Sequence, residues 1–282
     1  MLSRILLTAL FGLCFWNASA APLPLTVEKG EHIVIIGNGL GERMLYFPHF
    51  ETDLHRQYPN QELIVRNMSK PGDTPGFRPR SSRVSQWAFP GAETFQPSRQ
   101  THLGEGHFPM PDEWLTELKT DTILAFFGYN ESFDGLDRVD NFYSELDAFV
   151  QHTLKQKYNG KAAPRLVLVS PIAFEDLSKQ KDLPDGKEEN IRLEAYADAV
   201  KRVAQARNVA FVDLYNPTKK LYLAEANPQT INGFALSDEG YRNLSKILIK
   251  SLYGEVKAQE MVSHEAMYEV VEDKNWFWLN DY

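Results

Sequence analysis

Five short apolar runs recur along the chain, each bounded by charged or turn-forming residues. They lie at 32–37 (Ile33 to Ile36), 62–67 (Leu63, Ile64, Val65), 121–128 (Ile123 to Phe127), 165–171 and 209–214. Runs this short and this continuously apolar suit strands buried on both faces of a parallel sheet. The intervening segments carry helical spacing. In 40–58, Leu45, Phe50 and Leu54 fall on one face; in 137–157, Phe142, Leu146, Phe149 and Val150 do. Further helices are expected at 190–207 and at 238–253, where Ser237 is a suitable N-cap and Asp238 and Glu239 suit the positive end of the dipole. Strands alternating with helices give an α/β fold: a five-stranded parallel sheet with helices on both faces. No internal repeat is visible. One stretch, 69–110, breaks the rhythm. It is rich in proline, glycine, arginine and aromatic residues, including Trp87 and Phe89. A stretch of that length is either a lid or binding loop, or an excursion held down by its own aromatics.

At 282 residues, 43% of them hydrophobic and with 17 Phe, 12 Tyr and 5 Trp, the chain has ample material for a large core. The net charge of −8 without a basic run argues against nucleic acid as a partner. The first twenty residues read as a cleaved export signal: Arg4, an apolar stretch from Ile5 to Trp16, then Ala18-Ser19-Ala20. That stretch is too short to span a bilayer, so no membrane attachment is expected after cleavage, and the mature chain would be secreted or periplasmic. The single cysteine, Cys14, lies in this signal, which removes disulfides, thiol catalysis and thiolate metal sites from the mature chain. No metal-ligand pattern and no cofactor is expected.

The candidate chemistry begins at Gly37, Gly39 and Gly41, directly after the first strand. A strand that breaks over glycines into a helix presents backbone N–H groups suited to an anion or a polarised carbonyl oxygen. In an open α/β sheet, ligands bind at this carboxyl edge. A dinucleotide fingerprint is the competing reading. It fails because position 42 is Glu rather than Gly, and because the second strand ends on Asn67 rather than an acid.

Four segments in order, spanning about 32–250, resemble the motifs of the SGNH (GDSL-type) hydrolases: Gly37-Asn38-Gly39-Leu40, Gly72 within 67–74, Gly128-Tyr129-Asn130-Glu131, and Asn232-Gly233-Phe234-Ala235-Leu236. The resemblance implies a flavodoxin-like three-layer sandwich and an esterase or carbohydrate-deacetylase lineage. It places the nucleophile serine on Gly39, the triad aspartate on Asn232 and the triad histidine on Ala235. Neither Gly nor Ala can act as nucleophile or base, so the activated-nucleophile unit is missing from its expected places. The oxyanion donors implied by the family would be the Gly39 and Gly72 amides and the Asn130 side chain. Accessory candidates are Asn38, Glu42, Arg43, Glu131 and two histidines of the irregular stretch, His102 and His107. Two functions follow: a hydrolase with relocated catalytic residues, or a silent domain that holds an ester, acyl or sugar group, or a partner protein, in the retained pocket.

Residues 255–282 end on Trp276-Phe277-Trp278-Leu279. The chain also resembles the N-terminal part of large secreted planctomycete-type proteins, in which an SGNH-like region precedes haem-binding and propeller-like modules, though it carries no Cys-x-x-Cys-His. On that resemblance 21–254 is the folding unit, 255–282 is a tail or the start of a following module, and 274–282 should make few contacts with the core.

Overall fold

A computed structural model describes residues 23–80, 84–101, 109–255 and 262–281. Five strands, β1 (His32–Gly37), β2 (Ile64–Asn67), β3 (Thr122–Phe126), β4 (Arg165–Val169) and β5 (Ala210–Val212), form one all-parallel sheet in the order β2-β1-β3-β4-β5. The sheet therefore has the flavodoxin-like order, with its switch point between β1 and β3. Register is continuous across the centre: Ile35 pairs with Asn67 on one side and Leu124 on the other, and Ala125 pairs with Leu168. The eight helices among the described residues are α1 (Gly39–Glu42), α2 (His49–Gln57), α3 (Pro111–Glu117), α4 (Val139–Thr153), α5 (Lys187–Arg207), α6 (Tyr215–Ala224), α7 (Asp238–Tyr253) and α8 (His264–Asp281). None is long and apolar enough to cross a membrane.

Alternation along the strands divides the core into two layers. Ile33, Ile35, Leu124, Phe126, Val167 and Val212 face Leu54 of α2 and Leu244, Leu248 and Leu252 of α7. Val34, Ile36, Ile123, Ala125, Phe127 and Leu168 face Phe142, Leu146 and Val150 of α4 and Val200 and Val203 of α5. The irregular stretch adds Ala88, Phe89 and Ala92 to this second layer, and its Phe77 bridges Trp87. Its described parts are thus an excursion held down by their own aromatics.

Two expectations need correction. The helix expected over 40–58 is interrupted: α1 is a single turn, a 3-10 turn covers Arg43–Leu45, and α2 starts only after Pro48. Proline disfavours the helical conformation at the residue before it, and so ends the first segment. The C-terminal segment does not stand apart either. As α8 it lies against α2 and the turn before it, with Val271 and Asn275 buried. Lys274 Nζ contacts both carboxylate oxygens of Glu51 at 2.7 Å, Asn275 donates to the Leu45 carbonyl at 3.1 Å, and Trp278 Nε1 donates to the Asn67 carbonyl at 2.6 Å.

Candidate functional site

The strands end around a cavity of about 280 Å³ at the switch point. Its floor comes from the β1–α1 turn, and one glycine there is forced. Gly37 has φ +133°, and a Cβ on it would sit 2.1 Å from the Phe126 carbonyl oxygen, so β1 and β3 approach this closely only through glycine. A Cβ on Gly41 would meet Ser69 Oγ at 2.6 Å. Gly39 is different: a Cβ there meets nothing within 4 Å. Asn38, Gly39, Leu40 and Arg43 supply this side of the cavity. Because α1 is only four residues long, the dipole expected of a helix N-terminus does not develop at the turn.

The opposite side follows β3 and β4. Tyr129 stacks on Phe234 (5.1 Å between centroids) and meets Phe133 edge-on (5.3 Å). Phe126, Phe127, Pro171, Ile172 and Tyr241 complete an almost wholly apolar wall. Burial pushes the hydroxyls of Tyr129 and Tyr241 up, so both are neutral. Phe133 is 68% exposed and Phe234 38%, which places them at the mouth. The loop carrying Phe234 and Ala235 is held by buried Glu175, which accepts from the Gln229 and Thr230 amides at 3.0 and 2.7 Å.

Of the residues singled out from the sequence, Asn38, Gly39, Arg43, Asn130 and Ala235 meet around this cavity, and the other described ones do not line it. Gly72 lies against Pro79, whose Cγ would be 2.6 Å from an added Cβ. Asn232 caps its own turn, Oδ1 accepting from the Ala235 amide at 2.9 Å. Asn130 reaches the cavity, but its amide nitrogen donates to the carbonyls of Pro71 (2.8 Å) and Asp73 (2.9 Å). Two backbone carbonyls use both of its N–H groups, so it ties loops together rather than facing an oxyanion. Glu42 lies beside Tyr46. Glu131 is buried and accepts from the Gly128 amide at 2.7 Å; burial, reinforced by nearby Glu145 and Asp134, pushes its carboxyl up to about 8. His102 and His107 lie outside the described residues.

Ser170 is the only serine among the described residues that line the cavity, and sequence reasoning gave no sign of it. Its hydroxyl is fully engaged: it accepts from the Leu214 and Tyr215 amides at 2.8 and 3.2 Å, pinning the start of α6, and donates to the Pro171 carbonyl at 3.1 Å. Among the described residues the lining holds no His, Asp, Glu, Lys or Cys, and Arg43 is its one charged residue. Its guanidinium donates to the Leu236 carbonyl at 3.3 Å and lies 5.1 Å over the Phe47 ring, and it makes no ion pair with a described residue. Among the described residues no group of three His, Cys, Asp or Glu is placed to hold a metal ion.

No family model matches the chain, and no curated protein is similar enough to count as a relative. Solved structures do match. A catalytic mutant of an acetylxylan esterase from Geobacillus stearothermophilus superposes with a TM-score of 0.57 at 15% identity, covering 83% of this chain and 99% of that one. The chain shares the fold of that structure, a parallel α/β sheet layered between helices. A gut microbial diltiazem-metabolizing enzyme gives 0.56 at 14% identity, over 83% of this chain and 48% of that one. An alpha/beta hydrolase from the metagenome of Lake Arreo, Spain, gives 0.53 at 15% identity, over 79% and 94%.

Proposed function

We propose that this chain is an exported domain of esterase lineage that binds a ligand at the carboxyl edge of its sheet and lacks serine-type catalysis. One observation supports the reading: Gly39 and Ala235, the positions to which the motif resemblance assigns nucleophile and base, both line the cavity, and among the described residues no other nucleophile–base pair lines it. Ser170 cannot substitute, because activation requires a base within hydrogen-bond reach of the hydroxyl, and its hydroxyl instead serves the backbone. A cavity lined mostly by aromatic and aliphatic groups, with a few polar atoms at one side, suits a small ligand. The bound group on this reading is an acyl, ester or sugar moiety.

The test is direct. Mature protein is treated with a serine-reactive phosphonate and assayed with p-nitrophenyl acetate. The expected result is no labelling at position 39 or 170 and turnover at the level of a denatured control. Saturable turnover that disappears on Ser170→Ala would identify a working hydrolase and sink this reading.

A further inference from the structure

The unmatched polar atoms of the pocket define the ligand more closely than its shape does. Asn38 is 1% exposed, and its amide nitrogen has no partner; the Nε of Arg43 is likewise buried without one. Both atoms are donors, and a buried donor left unpaired is costly. Both residues line the same side of the cavity, across which the walls turn apolar: Phe126, Phe127, Tyr129, Ile172, Phe234. An acceptor joined to an apolar body complements that lining. Arg43, which makes no ion pair with a described residue, favours an acceptor with a single negative charge, and its planar donors fit a carboxylate. Building on the binding role proposed above, we infer that the pocket takes an apolar monocarboxylate, its head against Arg43 and Asn38 and its body along the aromatic walls towards Phe133 and Phe234.

Octanoate and 1-octanol share a tail and differ in the charged head, so titration calorimetry of both at pH 7.4 and fixed ionic strength separates head from body. Octanoate should bind one to one and at least tenfold more tightly than 1-octanol. Arg43→Gln should weaken octanoate tenfold or more and leave 1-octanol within threefold, and Arg43→Lys should recover part of the loss. The unchanged 1-octanol affinity also guards against a merely misfolded variant, since Arg43 supports the Leu236 carbonyl as well. Gly39→Leu, which puts a side chain into open space on the cavity floor, should abolish both. If Arg43→Gln leaves octanoate within threefold while Gly39→Leu abolishes both ligands, the carboxylate seat is refuted and the binding pocket survives. If neither compound binds, or Gly39→Leu changes neither, the inference and the binding role fall together.

Discussion

Lys274→Met removes the cation that keeps a buried carboxylate tolerable. Glu51 is 8% exposed, and besides Lys274 only His55 among the described residues, at 3.5 Å, stands in ion-pair range of it. Burial opposes ionisation of Glu51, yet the Lys274 ammonium and the hydrogen bonds from His55 and Lys274 outweigh it, holding the carboxyl below its ordinary value. Methionine keeps the apolar stem and deletes the charge, leaving Glu51 uncompensated. Breaking a buried pair from one side costs about 3–5 kcal/mol. At roughly 2–4 °C per kcal/mol for a domain of this size, melting should drop by roughly 6–20 °C. Glu51→Gln combined with Lys274→Met should recover most of the loss, because the pair vanishes without a stranded charge.

The pH dependence gives a second readout. The folded pKa of Glu51 is depressed, so the pair's contribution is present above the ordinary carboxylate value and is lost as pH falls through the folded value. Urea unfolding at pH 7 should separate Lys274→Met widely from the parent, and at pH 3 the two should converge. Removing 262–282 altogether should cost more still, because it also strips Val271 and Trp278 from the face of α2 and from the second core layer. Each such apolar side chain is worth about 1.5–3 kcal/mol. A Lys274→Met variant within about 0.5 kcal/mol of the parent, the range of a bland surface change, would refute the docking role of α8.

Three further outcomes are expected. Gly39→Ser with Asn232→Asp and Ala235→His should become labelled by a phosphonate at position 39, yet turn over esters poorly; since the Asn130 amide is engaged elsewhere, one lost oxyanion donor is worth about 10²–10³ in rate. Mass spectrometry showing no labelling would mean the three positions do not converge. Asn130→Ala should lower stability by about 1–3 kcal/mol in urea unfolding, since it frees the 71–73 loop, and should leave octanoate affinity within threefold; the reverse pattern would restore it as a ligand donor. Glu131 has its folded pKa raised to about 8, so its contribution is intact below its ordinary 4.5 and is lost as pH rises towards 8. Glu131→Gln should flatten that fall, which has a slope of up to ~1.4 kcal/mol per pH unit, and calorimetric melting at pH 5, 6, 7 and 8 measures it.

The strands were legible because full burial on both faces demands unbroken apolar runs, and Ile33 to Ile36 or Ile123 to Phe127 admit no other placement in a sheet. The helices were legible only where an apolar stripe persists, as in α4 and α7. α8 escaped because its aromatics sit side by side rather than at helical spacing. Trp276 and Phe277 point to solvent, whereas Val271, Asn275 and Trp278 make the contact. The site divided in the same way. Motif spacing brought Gly39, Asn130 and Ala235 to one cavity, since each follows a strand end or precedes α7. The direction of the Asn130 amide depends on where the Pro71 and Asp73 carbonyls lie, and nothing in the local sequence encodes that. Nor did it reveal the aromatic wall, which is assembled from four separate segments of the chain.

The glycines separate what the fold requires from what the cavity uses. Gly37 is required by backbone packing: a Cβ there collides with the Phe126 carbonyl whatever the pocket does, whereas one on Gly41 would meet the Ser69 side chain. Gly128, at φ +106° and with Pro171 Cδ 3.1 Å from an added Cβ, is held by the same logic. These positions carry the motif resemblance, and they would be kept by any chain that needs this sheet. Gly39 answers to no such constraint. Its backbone accepts any residue, and the space above it is open, so its lack of a side chain serves the cavity and not the fold. With Ala235, it leaves room in the cavity beside Asn38 and Arg43. On the proposed reading, the two residues that the motif resemblance sets at the nucleophile and base positions both enlarge the pocket next to Arg43, the one charged residue among its described lining. Room beside a charged group is what the binding site of that reading requires.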